Sequence, residues 1–133
     1  LKTLVGGGEV SAFQLDRLLL QKQWAKAHAL AGNLLNRGEK GLAILHILAG
    51  HCRNTLKIGD AMARGLAERE IASAVHLPPF VVKTYAQHLN RRIDAQRYAH
   101  ALQICQETDV LLKSQPISED LLVARIIETL AAP

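Results

Sequence analysis

Histidine and cysteine are the side chains of this sequence best suited to bind a metal ion, and the 133 residues include six histidines and two cysteines. A zinc site on helices needs ligands three or four residues apart, with thiols or carboxylates close by. His51 and Cys52 are adjacent, so they point in different directions from a helix. One turn after His46 the chain has Gly50, which offers no ligand. The spacing therefore indicates surface or boundary histidines and no metal site: His28, His46, His51, His76, His88 and His100.

Catalytic nucleophiles and phosphate-binding loops lack supporting patterns. Ser73 and Ser114 have no neighbouring histidine and acid of the kind that activates a serine. Ser11 and Ser118 precede helical patterns and suit the N-cap position. The glycine run at residues 6–8 is not part of the Gly-x-x-x-x-Gly-Lys-Ser/Thr sequence that a phosphate loop needs. We therefore expect no catalytic residue and no cofactor in this chain.

Composition and cysteine placement indicate the compartment. Cys52 and Cys105 each lie on an apolar stripe, which predicts buried free thiols in a reducing cell. No apolar stretch approaches the roughly 18 residues of a membrane span, and no signal peptide pattern is present, so we expect a cytoplasmic protein without membrane contact. The formal net charge is +4, with 16 Lys and Arg spread along the chain. This charge is compatible with a nucleic-acid partner but does not require one.

Apolar periodicity predicts an all-α fold, a compact bundle of about six or seven helices. Only 4% of the residues are aromatic, so the core should consist of Leu, Ala, Ile and Val. The longest pattern covers residues 39–65, where apolar or small residues recur at steps of three and four: Leu42, Leu45, Ala49, Cys52, Leu56, Gly59, Ala63 and Leu66. The opposite stripe is mostly polar: His46, Gly50, Arg53, Lys57, Asp60 and Arg64. Because its apolar face is wide, this helix should contact several others.

Shorter helical patterns surround this hub. They cover about residues 11–21, 23–37, 68–75, 79–92, 93–113 and from residue 119 to the end. Ser11 and Gln14 match a capping box, and Gly38 suits a left-handed helix stop. Their apolar faces include Phe13, Leu15, Trp24, Ile71, Ala74, Val82 and Tyr85. The inward residues of the penultimate helix are predicted to be Tyr98, Ala101, Leu102, Cys105, Thr108 and Leu112, and those of the last helix Leu122, Val123, Ile126, Ile127 and Leu130.

The start of the chain differs from the rest. It begins with Leu1 rather than Met and soon reaches the glycine run, which is typical of a flexible connection. We expect residues 1–9 to be a linker from a missing N-terminal region, and residues 10–133 to form one helical domain.

Residues 68–92 have the outline of a helix-turn-helix, because two helical patterns flank a short turn. Lys83, Arg91 and Arg92 make the second pattern basic. A recognition helix, however, presents polar side chains near its start, and here the start is Phe80 followed by two valines. A corner of the bundle is the preferred interpretation. The alternative function is a DNA-binding module that uses residues 68–92, whose affinity would fall steeply with salt.

The order of several motifs resembles one family, the C-terminal part of the delta subunit of bacterial DNA polymerase III. Residues 34–40 (LLNRGEK) resemble its leucine pair and Gly-Glu turn, and residues 42–56 resemble the long helix that follows, with an arginine, Arg53, near its middle. Residues 70–72 and 77–83 resemble its short helix and its proline–aromatic–valine–valine–lysine segment. Asp109 with the Leu-Lys-Ser at residues 112–114 resembles the end of its penultimate helix. The match extends over about residues 10–130.

Two positions depart from the family pattern. Gly41 stands where a proline is common after the Gly-Glu turn, and the pair His51-Cys52 is unusual before the central arginine.

The resemblance implies a role in DNA replication. Residues 10–133 would be the collar-like domain of a clamp-loader subunit, which holds the delta subunit in the complex that loads the sliding clamp onto DNA. Its partners would be the other clamp-loader subunits, gamma/tau and delta prime, in a ring of helical domains. The sliding clamp would be contacted only through the missing N-terminal domain. The delta subunit does not hydrolyse ATP, although it belongs to the DNA-directed DNA polymerase holoenzyme.

Overall fold

Seven α-helices make up the computed structural model, which describes residues 2–89 and 94–132, with side chains described from Ser11 onward. The helices are α1 (Lys2–Leu20), α2 (Trp24–Asn36), α3 (Gly41–Ala63), α4 (Glu68–Val75), α5 (Pro79–His88), α6 (Ala95–Ser114) and α7 (Glu119–Ala131). The described residues contain no strand. The all-α prediction is therefore confirmed. None of the described helices is long and apolar enough to cross a membrane.

The start of α1 differs from the prediction. The helix begins at Lys2 and passes through the glycine run, so the expected helix start at Ser11 is wrong. A glycine inside a helix costs about 1 kcal/mol relative to alanine, which disfavours the helix without forbidding it. Each residue added to an existing helix also gains a backbone hydrogen bond, and the buried Leu15 and Leu19 hold the end of α1 in place. The linker assignment of residues 1–9 stays a prediction.

The α5–α6 connection also differs from the sequence pattern. α5 ends at His88 rather than near Arg92, because Leu89 is extended and packs its side chain against the core beside α5. Asp94 caps α6 by accepting a hydrogen bond from the Arg97 backbone N–H at 3.1 Å. Residues 90–93, which include the predicted basic residues Arg91 and Arg92, lie outside the described part of the chain.

The hub is α3, as predicted. Its 23 residues pack against α1, α4, α5, α6 and α7. The predicted polar stripe of α3 is exposed, apart from the half-buried Gly50. Gly38 and Gly65 both have positive φ, at 96° and 81°, and provide the turns before and after α3. Glycine adopts this left-handed backbone without the steric cost that a Cβ would bring.

Two hydrophobic clusters form the interior. The first cluster joins α1, α2, α3, α6 and α7 through residues that include Leu15, Leu34, Leu48, Cys52, Ile104, Cys105 and Ile126. The second cluster joins α4 and α5 to the C-terminal half of α3 and the end of α1: Leu20, Ile58, Ala61, Ile71, Ala72, Val82 and Tyr85. Three residues of the predicted apolar faces are exposed instead: Phe13, Ala63 and Ala74. The helical period gives the direction in which a side chain points, but the side chain is buried only where a neighbouring helix covers it.

Helix α7 supplies a cap to α3. The Gly41 backbone N–H donates to the Glu119 carboxylate at 2.9 Å, across 78 residues of sequence. A carboxylate beside the N-terminus of a helix is stabilised by the helix dipole and by unpaired N–H groups. A Cβ built on Gly41 would lie 2.6 Å from Glu119 Oε2 and 2.9 Å from Cγ. The departure from proline at this position thus coincides with a contact that requires a backbone N–H, and a Cβ here would force the Glu119 side chain to shift.

Gly41→Ala is expected to give a free energy of unfolding about 1 kcal/mol lower than the matched Gly50→Ala does, because Glu119 has to move away and its hydrogen bond to the backbone is lost. Urea denaturation followed by circular dichroism measures the change. The matched control is Gly50→Ala in the same helix, where nothing lies within 4 Å of the new Cβ. There alanine should stabilise the chain by roughly 0.5–1 kcal/mol, since it restricts the unfolded state. Equal changes in the free energy of unfolding in both variants would contradict the capping role of Glu119.

Candidate functional site

The six histidines do not assemble into a metal site. Within residues 2–89 and 94–132, no group of three or more His, Cys, Asp or Glu side chains could hold a metal ion. Four of the histidines are exposed: His28, His46, His76 and His100. His88 is half-buried, and its Nδ1 donates to the Thr84 carbonyl one turn earlier at 2.9 Å. His51 is the exception, because it is 1% exposed and lies between three helices.

His51 on α3 is part of a buried polar network with Asp16 on α1 and Tyr85 on α5. The Tyr85 hydroxyl donates to Asp16 Oδ1 at 2.6 Å. The His51 Nδ1 lies 3.1 Å from the same carboxylate oxygen. A carboxylate only accepts hydrogen bonds, so Nδ1 carries the proton and donates it. One oxygen of Asp16 thus satisfies two donors that come from two other helices.

Electrostatics favours this arrangement of protons. Burial, followed by the negative charge of Asp16 and its hydrogen bond, raises the pKa of the Tyr85 phenol well above its ordinary value. Tyr85 therefore keeps its proton and remains a donor. The Asp16 side chain is 26% exposed, so one side of the carboxylate still reaches water. Partial hydration lowers the cost of placing a charge next to the hydrophobic clusters.

The network is arranged for positioning and not for acid–base catalysis. A catalytic imidazole needs a nitrogen that can reach a substrate. The His51 Nε2 is buried and has no hydrogen-bond partner among the described residues. The rings of Tyr85 and Tyr98 both lie close to the imidazole, each with its centroid 5.8 Å away. We interpret the network as a brace that ties α1, α3 and α5 together.

Helical periodicity did not predict this network, because His51 and Tyr85 lie 35 and 69 residues from Asp16 in the sequence. One local signal was available. His51 lies on the border of the apolar stripe of α3, beside Cys52, so burial of the imidazole could have been considered. Its partners could not be named from helical period alone.

The two cysteines are free and buried, as predicted. Cys52 on α3 and Cys105 on α6 influence each other electrostatically. Interaction with Cys105, followed by burial, raises the pKa of the Cys52 thiol, whereas interaction with Cys52 lowers the pKa of the Cys105 thiol. Both sulfurs are buried, so reagents in solution cannot reach them.

Iodoacetamide is therefore expected to leave both cysteines unmodified in the folded chain, even at about pH 8, because both sulfurs are shielded from the reagent. Intact-mass spectrometry should show no added group in buffer and two added groups in denaturant. Rapid modification of the folded chain would contradict the buried assignment.

The helix-turn-helix candidate takes the form of a helical corner. His76 ends α4 in the left-handed conformation at φ 58°, and α5 begins at Pro79. At the start of α5 Phe80 is 61% exposed, whereas Val82 is fully buried. Lys83 is exposed. The first turn of α5 thus offers an aromatic ring and no polar side chain for base contacts, and the DNA-binding alternative stays a prediction.

Large apolar side chains are exposed on four helices: Phe13 at 52%, Phe80 at 61%, Val110 at 62% and Leu121 at 70%. Leu121 borders an apolar groove of about 190 Å³ between α2 and α7, lined also by Ala31, Leu35 and Ala124. An exposed apolar side chain beside an apolar groove, as at Leu121, is typical of surfaces that contact other proteins.

Comparison with known structures supports the helical architecture. The DNA clamp loader delta protein (YqeN) of Bacillus subtilis has a similar structure, with a TM-score of 0.78 at 18% sequence identity. The similarity covers 95% of this chain and 37% of that protein, so this chain spans little more than a third of its relative's length. At this identity the likeness concerns the fold. Among curated proteins, no sequence matches.

Comparison with family sequence patterns is more specific. The family described as DNA polymerase III delta subunit, C-terminal domain, matches residues 9–130. This range includes α2–α6, most of α1 and α7, and both departures from the family pattern, Gly41 and the pair His51-Cys52. The chain therefore belongs to the family of C-terminal domains of the DNA polymerase III delta subunit.

Proposed function

We propose that this chain is the oligomerisation domain of a clamp-loader delta subunit in the cytoplasm. In this role it holds the subunit in the complex that loads the sliding clamp onto DNA. The observation that carries the proposal is the match to one family over residues 9–130. The proposed partners are the helical domains of the gamma/tau and delta prime subunits. Contact with the sliding clamp is assigned to a region outside this chain.

The surface of the domain supports this proposal. Four large apolar side chains reach solvent, and the groove beside Leu121 is lined mainly by apolar atoms. Burial of such side chains against a partner contributes about 25 cal/mol per Å² of apolar area. The described residues also lack a cluster of metal ligands, and their buried His51 cannot reach a substrate. These features suit a scaffold better than a catalytic domain.

Co-purification tests the proposal. The chain, carrying an affinity tag, should retain the gamma/tau and delta prime subunits of its own species through size-exclusion chromatography. Failure to retain either subunit at micromolar concentration would contradict the proposal. Fluorescence anisotropy with duplex DNA at low salt, run in parallel, tests the alternative function. DNA binding that is lost on Lys83→Glu, without subunit binding, would favour the DNA-binding module.

Single aspartate substitutions would locate the interface. Aspartate replaces one exposed apolar residue at a time: Phe13, Phe80, Val110 or Leu121. A charge buried at the centre of an interface weakens binding strongly. At least one variant should weaken subunit binding about 30-fold or more, while Lys57→Ala on the exposed stripe of α3 should not. Unchanged binding in all four variants would show that these side chains are not the contact surface.

A further inference from the structure

Helices α4 and α5 are packed differently from the other helices. Their principal packing partners are each other and α3. Their buried side chains belong to the second cluster, whereas α2, α6 and α7 contribute only to the first cluster. The second cluster is also smaller, with 7 buried residues against 18. A unit with its own small core can open while the rest of a domain remains folded.

The chain on both sides of this helix pair is non-helical. Gly65 precedes α4 with φ 81°, and Leu89 follows α5 in an extended conformation. A hinge needs a few such terminal positions to absorb a change in backbone angles. The α4–α5 pair can thus swing away from α3 without unwinding α3 itself.

One polar contact crosses from this pair to α1. Tyr85 is 1% exposed and belongs to the second cluster, yet its hydroxyl donates to Asp16 Oδ1 at 2.6 Å. Hydrogen bonds to a charged group stabilise a structure more than hydrogen bonds between neutral groups do. Loss of this bond leaves Asp16 with its His51 partner and with water on its exposed side. At this contact, the free-energy cost of opening therefore comes from the loss of the hydrogen bond that the Tyr85 hydroxyl donates.

We propose that α4 and α5 form a strap that opens as a unit from the helical domain, with the Tyr85–Asp16 hydrogen bond as its latch. Opening uncovers an apolar strip on α3 that includes Ile58 and Ala61, together with Leu20 of α1. The strap is a conformational device within the domain, and it is independent of the function proposed above.

Hydrogen–deuterium exchange with mass spectrometry tests the strap on this chain. In the unmodified chain, the amides of α4 and α5 should exchange at least about tenfold faster than those of α6 and α7. Tyr85→Phe should raise exchange in α4 and α5 about tenfold further and change α7 much less. The matched control is Tyr98→Phe, because Tyr98 contacts the same imidazole from the first cluster. It should not accelerate α4 and α5 selectively.

A second variant addresses the packing of the strap. Val82→Ala removes two methyl groups from the second cluster and leaves the latch intact, so it should accelerate exchange in α4 and α5 alone. Equal acceleration in α4, α5, α6 and α7 for either Tyr85→Phe or Val82→Ala would overturn the proposal, since the domain would then open as one unit. Equal exchange rates in α4, α5, α6 and α7 of the unmodified chain would also overturn the proposal.

Discussion

Asp16→Ala is expected to lower the free energy of unfolding by about 3 kcal/mol, because it leaves two buried donors without an acceptor. The Tyr85 hydroxyl and the His51 Nδ1–H both donate to Asp16 Oδ1. An unsatisfied buried donor costs roughly 1–3 kcal/mol, and the partial exposure of Asp16 lets water recover part of this cost. The measurement is urea denaturation followed by circular dichroism, with the slope of the transition as a check on two-state unfolding.

Two further variants make this experiment specific. Asp16→Asn keeps an acceptor oxygen and loses the charge, so its cost should be about 1 kcal/mol. Asp60→Ala removes a carboxylate that pairs with Arg64, and both side chains of this ion pair are exposed. The change in the free energy of unfolding should therefore stay within about 0.5 kcal/mol. If Asp16→Ala were as mild as Asp60→Ala, the network would not be a brace.

Ile126→Ala is expected to destabilise the domain by about 3 kcal/mol, because Ile126 is fully buried in the first cluster. Removal of a large aliphatic side chain loses its transfer free energy and leaves a cavity that the surrounding helices fill only in part. Thermal and urea denaturation both report the change.

Leu121→Ala is the matched control on the same helix. It removes a similar number of carbon atoms from a side chain that is 70% exposed, so its effect on unfolding should stay within about 0.5 kcal/mol. A large loss of stability at Leu121 would mean that α7 packs with another face toward the core.

Local patterns predicted most of the helices because their signals lie within a few residues. The bounds of α4, Glu68–Val75, agree with the prediction from periodicity. The last helix begins after Ser118, whose hydroxyl accepts from the Leu121 backbone N–H as an N-cap should. Every apolar residue predicted to face inward on α7 is buried: Leu122, Val123, Ile126, Ile127 and Leu130.

Predictions failed where the local pattern alone did not decide the extent of a helix or the burial of a side chain. Ser11 has the sequence of an N-cap, but α1 continues through it to Lys2. Phe13 lies two residues before the buried Leu15, yet no neighbouring helix covers it and it is 52% exposed. Ile104, which was not among the predicted inward residues of α6, is buried because α6 packs broadly against α3.

The amino-acid sequence by itself determined the helices, most of their buried faces and the family, because period, caps and motif order are encoded over short distances. Only the tertiary structure decided which polar groups meet. The two departures from the family pattern show this most clearly: Gly41 receives its cap from Glu119, and His51 joins Asp16 and Tyr85. Contacts between residues 34 to 78 positions apart have no local signal, since they depend on how the helices pack.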